Sequence, residues 1–338
     1  MFPKFPDSVD VLVVGLGPAG SAICKTCAKT GLNVLGVEKR PEIGAPKRCA
    51  EGLSKGSLER IGIDYSDRWA RQPIHGARVY APNGKFVEVN YNGPEGWIVD
   101  RKVFDKFLAV DAVNAGAKVF SNAEVVSLIK EDEKVVGAKI EFDGEVFEVR
   151  AKIVVASDGV ESKIAREAGL MTNNKQINYT SGAQFEMAGL KLKDENFMEL
   201  FFGTDIASGG YVWIFPKGDG TANVGIGIRK PWAKKTALEY LQKFVEKHPG
   251  LKDGSIVEVN AGGVPVGGLL KDMVLDNFVV VGDAAHHVNP IHGGGISLYL
   301  LKNSFEVSPD FIASETTSPA ILPPTYASEI PPPCIGFT

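Results

Sequence analysis

The chain has 338 residues, 44% hydrophobic and 23% charged, with a net charge of −4; this is a globular composition that excludes whole-chain disorder and predicts roughly two lobes. The acidic balance gives no support to a nucleic-acid binder held by a basic surface, and four cysteines are too few for a disulfide scaffold, so a cytoplasmic compartment is expected. No apolar run approaches the roughly 18 residues of a spanning helix, and the N-terminus lacks the features of a signal peptide, so any membrane contact is expected to be peripheral.

Residues 9–14, VDVLVV, predict a buried strand that ends in GLGPAG at 15–20. A helix with Gly31 as its stop follows, and then a second apolar run, NVLGVEK, which completes a βαβ unit. Residues 39–56 form a polar, Gly/Pro-rich loop, and residues 74–99 alternate as short strands around turns. Residues 101–116 have helical spacing with Gly116 as stop. Strands are expected at about 124–130, 135–142 and 145–150, with a further buried strand, KIVVAS, at 152–157 before Asp158-Gly159. From about 178 to 228 the pattern changes to long antiparallel strands, followed by a helix at about 234–247. The buried parallel type returns in FVVVG at 278–282. The expected organisation is a nucleotide-binding lobe over 1–175, with inserted strands at about 74–99. An antiparallel-sheet lobe over 176–275 and a return to the first lobe over 276–302 complete it. Residues 297–338 hold 7 of the 20 prolines and lack an apolar period beyond about residue 301. An irregular tail is therefore expected over 303–338, either from a frameshifted or truncated reading frame or as a genuine divergent tail, with impaired activity as its consequence.

GLGPAG matches G-x-G-x-x-G in the context that gives the match meaning, between a strand and a helix, with Glu38 at the end of the next strand. Gly15 permits the turn, Gly17 lets backbone approach a pyrophosphate, and Gly20 allows close helix packing. The helix N-terminus attracts phosphate, and Glu38 suits an unphosphorylated ribose, which selects FAD or NAD over NADP. GDAAHHVNPIHGGG at 282–295 decides for FAD. Asp283 at a strand end suits the hydroxyls of a ribityl chain, and a Gly-rich helix start can lie against a flavin ring.

The ordered trio of GLGPAG with Glu38, SDG at 157–159 and GDAAHHVNPIHGGG resembles FAD-dependent enzymes of the p-hydroxybenzoate hydroxylase fold. Two further stretches, KRPEIGAPKRCAEGLSKG at 39–56 and GGYVWIFPKGDGTANVGIG at 209–227, resemble the archaeal geranylgeranyl reductase family. The implied fold is mixed α/β: a Rossmann-like FAD-binding lobe with an inserted antiparallel-sheet substrate lobe. The implied activity is hydrogenation, with reduced FAD, of the geranylgeranyl double bonds of digeranylgeranylglycerophospholipids to phytanyl chains in archaeal membrane-lipid biosynthesis. An electron donor such as ferredoxin or NADH is implied. Carried over by motif, FAD contacts fall on Gly20, Glu38, Cys49, Ala50, Gly52, Arg101, Asp283, Gly295 and Ile296, with Val125 as a further contact. An FAD-dependent monooxygenase and an inactive flavin-binding fragment are the alternatives.

Cys49, beside Lys47 and Arg48, is the candidate catalytic or substrate-gating thiol; its alternative is a packed small side chain. Tyr211, Trp213 and Phe215 alternate and so share one face of a strand. They either line an apolar tunnel for the substrate or belong to ordinary core. Arg101 is either a phosphate or ribityl contact or a helix-surface cation. Cys24 and Cys27, at i and i+3, lack further ligands at metal spacing, and His286 and His287 lack a carboxylate or Cys cluster, so packed or surface roles are expected for all four and no metal is expected.

Overall fold

A computed structural model describes residues 4–172 and 175–296. The expected tail over 303–338 lies outside them, as does any helix beyond Ile296.

The first sheet is parallel at its centre. Its strands run in the order Phe278–Val280, Glu145–Ala156, Ser8–Val14, Val34–Glu38 and Lys118–Ser121. Strand Ser8–Val14 is wholly apolar over its second half, Val11 to Val14, because both faces are covered there. Val11 and Val13 pack with the helix Pro18–Lys29, against Cys24 and Ala28. Leu12 and Val14 pack on the other side with Val125, Leu128, Ile140 and Val149 from an antiparallel meander, Ala123–Glu131, Lys134–Phe142 and Glu145–Ala156. Helix Arg101–Asn114 lies against the first helix and is capped by Asp100, whose carboxylate accepts N–H bonds from Lys102 and Val103. Cys24 and Cys27 are buried in this layer, and burial pushes the Cys27 thiol up to about 11.

The strands expected at 145–150 and 152–157 are a single 12-residue strand, Glu145–Ala156. Its first half pairs antiparallel with Lys134–Phe142 and its second half parallel with Ser8–Val14, so the chain changes partner without breaking. The polar residues at 150 and 152, which suggest an interruption, alternate with buried Val149 and Ala151, as one continuous pleat requires.

The second sheet has seven strands in the order Ser255–Pro265, Tyr179–Ala188, Thr221–Arg229, Tyr211–Gly218, Phe197–Phe202, Gly76–Tyr80 and Phe86–Asn90. It is antiparallel except where Phe197–Phe202 runs parallel to Gly76–Tyr80. One face is closed by helix Ala237–Lys247, entered through a Thr236–Glu239 capping box, and buries Phe185, Val212, Ile214, Val224, Ile226 and Leu241. The strands expected as an insertion at about 74–99 are divided. Gly76–Tyr80 and Phe86–Asn90 extend this second sheet, whereas Gly96–Val99 pairs with Gly52–Ser54 and Ala70–Ile74 in a three-stranded sheet between the two.

Candidate functional site

One cavity of about 690 Å³ lies where the C-terminal ends of the parallel strands face the open side of the second sheet. Open α/β sheets place ligands at this edge. Its walls include Gly15, Gly17, Glu38, Cys49, Ala50, Gly52, Arg101, Val125, Asp283, Gly295 and Ile296, together with Tyr211, Trp213 and Phe215. Gly20 is the one expected site residue set back from the wall.

The glycine turn has a distinct steric reason at each position. Gly15 has φ +94°, and a Cβ there would sit 2.5 Å from the carbonyl oxygen of Ser157. A Cβ on Gly20 would sit 1.9 Å from the Gly15 carbonyl oxygen, so this glycine sets how closely the helix meets the turn. Gly17, at the helix N-cap, meets nothing within 4 Å. Its backbone therefore borders open cavity at the positive end of the helix. Glu38 is buried, and its two carboxylate oxygens accept N–H bonds from Leu16 at 3.0 Å and Arg40 at 3.1 Å.

Beside this turn stands Asp283, in the short turn Gly282–Ala285 that follows strand Phe278–Val280; a Cβ on Gly282 would sit 3.0 Å from that of Ala19. Its carboxyl faces the cavity among protein groups. Burial pushes it up to about 6, against the pull of Arg101. Arg101 itself is clamped by Asp105 through two bonds, 2.7 and 2.9 Å. Asp158 is held by the Ile164 N–H at 2.9 Å, and burial raises its carboxyl as well. His286 is buried and turned with φ +59°, and burial holds His287 down at about 4, where it is neutral at pH 7.

The strand Tyr211–Gly218 divides its side chains cleanly. Val212 and Ile214 enter the core, while Tyr211, Trp213 and Phe215 line the cavity, their ring centroids 5.9 and 6.5 Å apart in succession. The neighbouring strand supplies the floor. A Cβ on Gly225 would fall 2.2 Å from the Trp213 ring, so the indole lies directly on glycine backbone. Trp213 Nε1 donates to Gln184 at 2.9 Å, and Gln184 Nε2 donates to the Cys49 carbonyl at 3.0 Å, which ties the aromatic strand to the Cys49 loop. The Tyr211 hydroxyl donates to the His292 carbonyl at 2.7 Å and ties the same strand to the Gly293–Gly295 loop; burial pushes this phenol up to about 12.

The Cys49 loop is fixed from beneath by a buried ion network. Glu51 is fully buried and, unusually for a non-glycine residue, has φ +75°. Its carboxylate accepts from the Arg101 N–H at 2.7 Å, Asn223 Nδ2 at 2.6 Å, Lys217 Nζ at 2.8 Å and Lys47 Nζ at 3.2 Å. Glu186 binds both lysines, lying 3.0 Å from Lys217. Burial raises the Glu186 carboxyl, but the bound lysines outweigh it and hold the group below the usual carboxylate range. For Lys47, burial lowers the ammonium pKa and the Glu51 and Glu186 carboxylates more than restore it. The two cations expected to act on Cys49 are thus engaged elsewhere, Lys47 in this network and Arg48 with Glu161 at 3.1 Å. The Cys49 Sγ accepts the Glu51 N–H at 3.2 Å.

Residues 178–264 match the geranylgeranyl reductase catalytic domain and residues 97–205 an FAD binding domain. A digeranylgeranylglycerophospholipid reductase of Methanosphaera stadtmanae is 47% identical over 292 residues, which is 85% of this chain and 74% of that protein. The chain belongs to the geranylgeranyl reductase family. A solved structure of a geranylgeranyl bacteriochlorophyll reductase-like protein from Thermoplasma acidophilum, 40% identical, superposes with a TM-score of 0.84 over 87% of this chain and 75% of its own. A flavin-dependent brominase shares the fold alone, at 22% identity, with a TM-score of 0.71 over 86% of this chain and 77% of its own.

As a member of the geranylgeranyl reductase family, the chain is an FAD-dependent oxidoreductase of mixed α/β fold. The cavity fits that cofactor: Gly17 leaves room that a side chain would fill, and the carboxylates of Glu38 and Asp283 are both in its wall. The sequence reading singled out none of Glu186, Gln184, Lys217 and Asn223, although the last two lie inside the 209–227 stretch. Lys217 lies two residues after Phe215, and Gln184 and Glu186 lie two residues apart, on either side of buried Phe185, on strand Tyr179–Ala188. The usable signal was a charged residue in a strand otherwise packed with apolar and small side chains.

Proposed function

We propose that this protein hydrogenates the geranylgeranyl double bonds of digeranylgeranylglycerophospholipids. The observation that carries the proposal is the aromatic face of Tyr211, Trp213 and Phe215, laid on glycine backbone and opening onto the same cavity as the dinucleotide turn. Family membership, through relatives named as reductases of this lipid, supports the same substrate. Reduced FAD, when bound, supplies a hydride to one alkene carbon, and a proton completes the other. The Gly15–Gly20 turn and Glu38 would hold the adenosine diphosphate half of the cofactor, and Arg101 and Asp283 would orient its ribityl chain. Cys49, Ala50, Gly52, Gly295 and Ile296 would contact the flavin end of the cofactor and Val125 its adenine end. The aromatic face excludes water from the apolar chain; burying each CH₂ contributes about 0.8 kcal/mol. The Glu51 N–H donates to Cys49 Sγ and fixes the side chain on the cavity wall, within reach of a substrate that it would protonate or gate. The electron donor is ferredoxin or NADH, and the lipid is met at a membrane surface; among the described residues no helix is long and apolar enough to cross one.

The test is anaerobic incubation of the dithionite-reduced protein with digeranylgeranylglyceryl phospholipid, read by mass spectrometry. Gain of two hydrogens per double bond, with flavin reoxidation, is expected. Oxygen-dependent NADH consumption with a hydroxylated product would replace this proposal with a monooxygenase.

A further inference from the structure

The rim of the cavity carries a chemistry that the reaction itself does not use. After strand Thr221–Arg229 the chain reads Arg229-Lys230-Pro231-Trp232-Ala233-Lys234-Lys235, with four cations and no carboxylate from 229 to 238 in a chain of net charge −4. The segment is fastened by its middle. Ala233 is buried, its N–H donates to the Arg229 carbonyl at 3.0 Å, and its carbonyl accepts Lys230 Nζ at 2.9 Å. Trp232, next to this anchor, is 53% exposed.

Other exposed apolar side chains share the same rim. Ile291 is 81% and Phe202 39% exposed, and both line the cavity. Contacts join them to the basic segment. A Cβ on cavity-lining Gly209 would fall 2.9 Å from the Trp232 ring and 3.1 Å from the Arg229 Cβ. The Arg229 guanidinium donates to the carbonyl of Pro290, beside Ile291, at 3.0 Å. The Phe202 ring is 5.4 Å from that of Tyr211, which in turn binds the His292 carbonyl.

Large apolar side chains normally avoid water when grouped, and an exposed tryptophan flanked by lysines is the composition of a membrane–water interface. An acidic protein partner would satisfy the lysines but leaves three exposed apolar side chains at the mouth without a purpose. We propose that this rim, Trp232, Ile291 and Phe202 with Lys230, Lys234 and Lys235, seats on an anionic lipid surface, so that the cavity mouth opens toward the bilayer. The idea extends the assignment of a membrane-lipid substrate but is tested without it.

The full-length, FAD-loaded protein is floated with phosphatidylcholine vesicles, and with vesicles in which a third of the lipid is phosphatidylglycerol. Neither contains isoprenoid lipid, so the readout is independent of turnover. The protein should bind the anionic vesicles in a salt-sensitive manner, with a blue shift of tryptophan emission. Each surface lysine contributes about fivefold to such partitioning, so K234E/K235E should lower it by about 30-fold or more. Trp232→Ala should abolish the blue shift. Flavin content serves as the fold control, since none of these three residues lines the cavity. Wild-type protein that ignores anionic vesicles, variants that bind as wild type does, or lysines that serve only an acidic redox protein would each overturn the proposal. Vesicle binding without reductase activity would support this surface and count instead against the assigned reaction.

Discussion

Replacing Glu51 with glutamine removes one of two carboxylates that balance two buried ammonium groups. The amide oxygen still accepts the Arg101 N–H, so shape and part of the hydrogen bonding survive. What is lost is the charge: Lys47 and Lys217, both nearly inaccessible, are left with Glu186 as their close carboxylate, Glu258 lying 3.9 Å from Lys47. Breaking a buried ion pair by removing one partner costs about 3–5 kcal/mol, because an uncompensated charge remains. With a urea slope of about 3 kcal/mol per molar for a chain this long, the unfolding midpoint should fall by more than about 1 M. The loop is held with Glu51 in the left-handed region, so its release should also loosen Cys49–Gly52 and lower flavin retention. Adding Lys217→Met to Glu51→Gln removes the orphaned cation and should restore about 2 kcal/mol, a coupling read from a double-mutant cycle. A midpoint shift below about 0.3 M, with flavin content unchanged, would refute the claim that this network fixes the loop.

Gly17→Leu should fold normally and lose FAD, since its side chain enters open cavity; stoichiometric flavin absorbance in the purified variant would remove Gly17 from the site. Cys49→Ser should keep FAD but lower alkene reduction or change how many bonds are saturated, as measured by product mass; identical turnover and products would assign the thiol to packing. Asp283→Asn should stabilise the flavin-free protein near pH 7. A carboxyl pushed up to about 6 from 3.8 lowers folded-state stability as pH rises from about 4 to about 6, by up to about 3 kcal/mol. The same variant should bind FAD more weakly, and equal stability with wild type across that pH window would contradict the burial of this group.

The nucleotide half of the cavity was legible because its chemistry is local. Gly15, Gly17, Gly20 and Glu38 lie within one βαβ unit, where strand, turn and helix follow one another in the chain. The aromatic face was legible only as far as period allows. Alternation puts Tyr211, Trp213 and Phe215 on one side, but whether that side is core or cavity depends on Gly225 of a neighbouring strand and on the helix Ala237–Lys247 covering the other side. The ion network was not legible, because Lys47 and Glu186 are 139 residues apart and Lys217 and Glu51 are 166 apart. Strand Gly76–Tyr80 likewise gives no local sign that its partner is Phe197–Phe202, since pleat period specifies faces and not neighbours.

The route of the chain between the two large sheets has a mechanical consequence. It leaves the first after Val34–Glu38, supplies Gly76–Tyr80 and Phe86–Asn90 to the second, and returns for Lys118–Ser121. It then crosses again for Tyr179–Ala188 and comes back at Val274–Leu275. Neither sheet is therefore made from one uninterrupted stretch, and no single cut in the backbone yields two self-sufficient halves. Melting either layer withdraws edge strands or closing strands from the other, so heat or denaturant should dismantle both in one cooperative step. Flavin, gripped where the layers meet, would then leave in that step rather than before it.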